Sequence, residues 1–235
     1  TADRQTLDLE RTGGCVVDGM DTKQRLRTRL VRQFHHPTGP GGHLAGWIMG
    51  HRSSNLARNR WAVDLLDVQR GERVLELGCG PGVALAALAE RAVAGLVVGV
   101  DHSSVMIRQA SRRNARAVGE GRVHLVHAAV DDLPPVDERS TAPFDAPFDA
   151  ALAVNSVGFW PDPVERLAQV RRRLRVGGRI ALVAQPRCPG ATAATSRAAG
   201  TELAGLLAEA GFSGVQLATL ELDPPAVCAQ ATNAG

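Results

Sequence analysis

From residue 73 onward, short apolar runs alternate with amphipathic stretches, and that alternation sets the expected architecture. Runs at 73–77, 96–100, 123–128, 150–154 and 179–184 are short, rich in Val, Leu and Ala, and predict buried strands. Between them, 83–91, 103–117 and 164–174 carry apolar residues at helical spacing, and a last helix is expected over 201–210, with Gly211 as its stop signal. Strands alternating with helices call for a mostly parallel sheet covered on both faces. Two further strands, 215–220 and 226–231, are separated only by Asp223-Pro224-Pro225. So short a connection suits a hairpin, so the last strand should run antiparallel to its neighbour. The expectation is an α/β fold with a seven-stranded sheet.

The region before this alternation reads differently. Residues 1–21 are polar, show no clean period and are expected to form a flexible arm. Leu26, Leu30 and Phe34 recur every four residues and predict an amphipathic helix over 22–34, which the Pro/Gly run 36–42 ends. A short helix over 43–50 and a longer one from Ser53 or Ser54 to Leu66 follow. The chain thus divides into an arm (1–21), a helical lid (22–60) and an α/β domain (61–235).

Composition narrows the picture modestly. Apolar residues make up 44% and charged residues 22% of 235, an ordinary globular balance. Net charge is only +3, and Lys23 is the single lysine, so the positive charge is arginine. Arginines within 108–116 and at 171–173 and 175 read as solvated helix faces rather than as a nucleic-acid surface. Aromatics are scarce, at 3% with no tyrosine, which argues against stacking on single-stranded nucleic acid. Cys15, Cys79, Cys188 and Cys228 form no CxxC pair, so neither a zinc site nor a disulfide framework is expected, and a reducing cytoplasm fits. No run approaches the ~20 apolar residues of a membrane span.

The chemistry concentrates at strand ends. In Val74-Leu75-Glu76-Leu77-Gly78-Cys79-Gly80-Pro81-Gly82 a strand runs through three alternate glycines into a helix. Ligands of open α/β sheets bind at such a loop, beyond the carboxyl ends of the strands. The spacing is Gly-x-Gly-x-Gly, not the Gly-x-Gly-x-x-Gly of a dinucleotide site. Glu76 at the strand end would repel a pyrophosphate and suits a cationic ligand. Asp101, about twenty residues past the glycine loop, closes the next strand, where a carboxylate can accept hydrogen bonds from both hydroxyls of a ribose. Asp101 can also serve the helix that follows at once, and the two roles are compatible.

Those residues resemble the class I methyltransferases that use S-adenosylmethionine (SAM), in particular their small-molecule branch, over about 61–231. SAM carries a sulfonium and an ammonium and no phosphate, which fits the acidic strand end. The resemblance implies a Rossmann-like fold with helices on both faces, and Gly78, Cys79, Gly80 and Gly82 around the methionine part of SAM, with Glu76 organising the loop. It further implies Asp101 on the ribose and His102 against the adenine or simply exposed. Relatives often read Gly-Asp-Ala where this chain reads Ala128-Ala129-Val130, so the usual adenine-binding aspartate is Ala129 here. The backbone of Val130, with Asp131 or Asp132, is left for the ring. Asn155, after the fourth strand, faces the transferable methyl in relatives.

Neither an Asn-Pro-Pro-aromatic motif nor a metal-holding set of acids is present after the fourth and fifth strands. The expected cofactor is therefore SAM without a metal, and the expected acceptor a small molecule. Trp47, Met49, Phe159 and Trp160 are candidates for an apolar acceptor pocket, and His43 and His51 for a general base if the acceptor is a hydroxyl. RNA or protein methylation, a non-catalytic SAM-binding regulator and a nicotinamide enzyme remain as alternatives. A homodimer is compatible with the class, although no residue specifies it.

Overall fold

The computed structural model describes residues 53–235 except 137, 138 and 140. The expected arm and nearly all of the expected lid, with His43, Trp47, Met49 and His51, lie outside the described residues. The described chain opens with helix α1 (Ser53–Leu66), then strand β1 (Arg73–Leu77), α2 (Val83–Arg91) and β2 (Leu96–Asp101). Next come α3 (Ser104–Arg113), α4 (Ala115–Gly119), β3 (Val123–His127) and β4 (Phe148–Val154). The last part comprises α5 (Pro163–Arg173), β5 (Leu174–Ala184), α6 (Ala193–Glu209), β6 (Ser213–Leu220) and β7 (Ala226–Thr232).

The strands form one seven-stranded sheet in the order β3-β2-β1-β4-β5-β7-β6. The pairs β1 with β2, β1 with β4, β2 with β3 and β4 with β5 are parallel, and β7 runs antiparallel both to β6, as their short connection suits, and to β5. After β1 the chain builds outward to β2 and β3, then returns to place β4 on the other side of β1. That reversal opens a crevice at the carboxyl ends of β1 and β4.

Alternation along the strands loads both faces. Leu75, Leu77, Val98, Val100, Ala151 and Ala153 face Leu167 and Val170 of α5 and Leu203 and Leu207 of α6. Val74, Val97, Ala150 and Leu152 face α1, α2 and Ala110 of α3. The side chains along the strands are small and branched, so large core groups are few. Phe148, fully buried, is the largest and meets Phe144 edge-on, with centroids 5.9 Å apart.

The doubled Ala-Pro-Phe-Asp segment before β4 is thereby explained. Both phenylalanines enter the core, and both aspartates secure Arg73 at the start of β1. Asp149 accepts from the Arg73 backbone N–H at 2.8 Å, and Asp145 from its guanidinium at 2.9 Å. The same guanidinium lies 5.6 Å from the Phe148 ring centroid, within cation–π range.

Several boundaries differ from the sequence expectation for local reasons. The helix expected over 103–117 breaks at Asn114, whose side-chain N–H donates to the carbonyls of Ala110 (2.9 Å) and Gly82 (3.0 Å), competing with the helical backbone. Gly177-Gly178 does not merely stop α5. The chain turns into β5 at Leu174, and the glycines sit inside the strand, where its register against β4 shifts. Helix α6 begins at Ala193, not at 201, because Thr192 and Thr195 form a reciprocal capping box. Cys79 and Cys228 are free and buried, but Cys188 is disulfide-bonded, against the expectation for it.

No helix among the described residues is long and apolar enough to cross a membrane. Truncating Phe148 to alanine should cost ~3–5 kcal/mol, because it empties the largest core site. Urea unfolding should show the loss as a lower midpoint with an unchanged slope.

Candidate functional site

The loop after β1 is shaped by the end of β2. The Val100 carbonyl accepts the N–H groups of both Gly78 (2.8 Å) and Cys79 (2.9 Å), and the Asp101 carboxylate accepts that of Gly80 at 2.8 Å. This pulls the chain into a tight arc that only left-handed backbone can follow. Gly78 sits at φ +72°, and a Cβ there would lie 2.4 Å from Cβ of Ser156. Ser156 in turn donates its hydroxyl to the Leu77 carbonyl at 2.7 Å, locking the end of β1 to the segment after β4. Gly80 is different. At φ +52° it has nothing within 4 Å on the side where a Cβ would stand. A ligand can lie directly against this backbone.

Two carboxylates flank the loop. Asp101 is buried and accepts N–H groups on both oxygens, from Gly80 on one and from Ser103 on the other, each at 2.8 Å. Ser103, not Asp101, caps α3. Each Asp101 oxygen has a further lone pair for an incoming hydroxyl. Glu76 is fully enclosed, and its Oε2 meets no hydrogen-bond donor. Burial and the neighbouring Asp101 hold the Glu76 carboxyl well above the usual carboxylate range, against a smaller opposing pull from the Leu85 N–H at the start of α2. A buried carboxylate with an idle oxygen beside a second carboxylate is costly, unless a cation or donor completes it. The Cys79 thiol is driven up by burial and then by Glu76 and Asp101, so it stays protonated and is no nucleophile.

The remaining candidates are spread around this centre. His102 is half-exposed, with Nδ1 3.8 Å from Asp101 and its carbonyl 3.0 Å from Nε2 of His127. Ala129 is extended and precedes a short 3-10 turn, Val130–Asp132, in which Val130 packs on the core edge and Asp131 and Asp132 are exposed. Arg173 braces the far side of that turn by donating to the carbonyls of Leu133 and Pro134.

Asn155, at φ +53°, uses its side chain as a clip between strands. Its oxygen accepts from the Gln185 N–H at 2.7 Å, and its amide faces the Gln185 carbonyl at 3.3 Å. Trp160 packs partly against the core, whereas Phe159 is 52% exposed. Sequence reasoning missed Ser156 and the polar group Arg58, Gln185 and Arg187. Nothing in their local pattern distinguishes them, because their partners are remote in sequence. Among the described residues no three His, Cys, Asp or Glu side chains are grouped to hold a metal ion.

Residues 74–178, from β1 into the glycine pair of β5, match the family model described as a methyltransferase domain. Over these residues the chain resembles the class I SAM-dependent methyltransferases. It is 29% identical over 190 residues to an uncharacterized methyltransferase, YdaC, of Bacillus subtilis (strain 168), spanning 80% of this chain and 97% of that protein. The aklanonic acid methyltransferase DauC of Streptomyces sp. (strain C5) is 37% identical over 124 residues, about half (52%) of either chain. A SAM-dependent methyltransferase from Aquifex aeolicus superposes with a TM-score of 0.60 at 17% identity, covering 77% of this chain and 93% of that one, a likeness of fold.

Two substitutions test this methyltransferase site without any acceptor. Gly78→Ala should lose roughly 1–3 kcal/mol of stability through the left-handed backbone and the Ser156 contact, read by chemical unfolding. Glu76→Gln should stabilise the ligand-free protein at neutral and mildly alkaline pH. Because the folded pKa is raised, the wild type keeps its relative stability below the ordinary value of 4.5 and loses it as pH rises towards the folded pKa. The advantage of Glu76→Gln in thermal melts should therefore shrink on acidification and vanish near that ordinary value.

Proposed function

We propose that this methyltransferase binds SAM at the β1–β2 ends and methylates a small organic acceptor held beyond the ends of β4 and β5. The observations that carry the cofactor assignment are the idle, buried Glu76 oxygen and the open face of Gly80 in the loop that follows it. A phosphate would be repelled there, whereas the ammonium of SAM completes the carboxylate. When bound, SAM supplies the activated methyl group on its sulfonium. Asp101 receives the ribose hydroxyls on the lone pairs its backbone partners leave over, and the rigid Gly78–Gly82 arc fixes the position of the amino-acid part. The Val130 backbone, with Asp131 or Asp132, takes the adenine edge in place of the aspartate that Ala129 replaces, and His102 borders the ring.

Methyl transfer is an in-line displacement, so the protein contributes alignment and exclusion of water more than covalent chemistry. Phe159 and Trp160 offer an apolar wall for the acceptor, and Trp47 and Met49 are the further pocket candidates from the sequence. His43 or His51 serves as the base where the acceptor atom is a hydroxyl. A small-molecule acceptor is supported by the absence of the Asn-Pro-Pro-aromatic motif and by the DauC relative, whose name gives aklanonic acid as its substrate.

S-adenosylhomocysteine at about 100 times its dissociation constant should add ~2.7 kcal/mol of stability, visible as a higher Tm. Asp101→Ala should weaken that binding roughly tenfold or more, since hydrogen bonds to a charged group are worth ~1.5–3 kcal/mol each. A shift produced by NAD or NADP and not by S-adenosylhomocysteine would contradict the assignment.

A further inference from the structure

Arg173 closes α5, and it departs from the solvated helix face expected of the arginines around it. Arg172 stays exposed and pairs with Glu165, and Arg175 pairs with Asp149 at 2.7 Å. Arg173 is only 6% exposed, and among the described residues its partners are backbone carbonyls and no carboxylate. All three guanidinium nitrogens are engaged. Nε donates to Pro134 at 3.0 Å, Nη1 to Gln169 at 2.9 Å and Nη2 to Leu133. Burial, and then the neighbouring Arg172, lower its pKa, so the charge is kept in a setting that disfavours it.

The two carbonyls outside α5 belong to successive residues of a stiff segment. Leu133, Pro134 and Pro135 run together, so Leu133 and Pro134 each precede a proline, which restricts their backbone to extended conformations. Leu133 is extended, at φ −70° and ψ 133°, and its side chain is buried in the core. Held at two carbonyls by one rigid fork, such a segment has little freedom to rotate. It follows directly on the turn Val130–Asp132. Before the turn, the Ala128 N–H donates to the Asp101 carbonyl at 3.2 Å. The turn is thus suspended between Asp101 on one side and Arg173 on the other, while Asp131 and Asp132 stay exposed.

We propose that Arg173 is a positioning residue for nucleobase recognition, setting the Val130–Asp132 turn so that it reads the 6-amino edge of adenine. The proposal rests on the SAM reading above, in which the ribose sits on Asp101 and the base lies against this turn. Arg173 touches no ligand and acts through the carbonyls of Leu133 and Pro134. Hydrogen-bond recognition of a base edge needs donors and acceptors placed to within about half an ångström. Apolar contact with the faces of the ring tolerates larger shifts, so a loosened turn costs selectivity for the base and not affinity alone. A lysine offers a single point of donation and cannot hold both carbonyls and the helix end in one plane.

The test compares calorimetric affinities of the whole chain for S-adenosylhomocysteine and S-inosylhomocysteine, in which a 6-oxo group replaces the amine. Wild type should prefer the adenosyl ligand by roughly tenfold or more, because the exchange reverses donor and acceptor at the base edge. Arg173→Met should reduce that preference to about twofold or less, with circular dichroism showing a folded chain. Arg173→Lys, which keeps the charge but not the fork, should reduce it to a smaller extent. If Arg173→Met does not fold, Arg173→Lys decides by the same ratio. An arginine with a merely structural role would lower the Tm when replaced, yet leave the ratio of the two affinities as it was. An unchanged ratio in the folded variant, or a wild type that binds both ligands equally, overturns the proposal. Failure of wild type to bind S-adenosylhomocysteine at all would instead overturn the SAM reading, and this proposal with it.

Discussion

Two carboxylates buried at the ends of neighbouring strands govern the working end of this molecule. Asp101 is stabilised by the backbone, since the Gly80 and Ser103 N–H groups satisfy it and in doing so bend the glycine arc into place. Glu76 has no such completion, and the proximity of Asp101 makes its ionisation harder still. The hydrophobic sheet that holds both groups is what keeps the pair together in a poorly solvated place. Charge that is expensive in the empty protein becomes favourable when a cation arrives. Stability is thus set against binding at this point in the fold.

Much of this was legible from the residues themselves. Strands of Val, Leu and Ala separated by helical spacing determine the parallel order, and the short Asp223-Pro224-Pro225 connection determines the reversed last strand. Glycines at alternate positions after β1 pointed to a tight turn, and Gly78, Gly80 and Gly82 do take the left-handed backbone that few other residues tolerate. The misjudged boundaries at Asn114, at Gly177-Gly178 and at Thr192 share one cause. Side-chain hydrogen bonds and strand pairing override local periodicity, and neither leaves a periodic mark.

The polar network behind the site was invisible for a related reason. Ser156 matters because it meets Leu77, and Gln185 because it meets Arg58 and Asn155, all pairings between positions far apart in sequence. The side chain of Asn155 joins the ends of β4 and β5. That clip braces the ends of β4 and β5, as the Ser156 bond braces the glycine arc. Within a shared methyltransferase fold, acceptor choice belongs to such features and not to the sheet.

The central claim is that Glu76 is completed by the ammonium of the cofactor. It is tested most directly by calorimetric affinities of wild type and Glu76→Gln for S-adenosylhomocysteine and for methylthioadenosine, which keeps the nucleoside but lacks the amino-acid part. The account predicts that the substitution weakens S-adenosylhomocysteine by roughly tenfold or more and leaves methylthioadenosine nearly unchanged, a coupling of ~1.4 kcal/mol or more between Glu76 and the ammonium-bearing half. Equal losses for both ligands, or none for either, would contradict it.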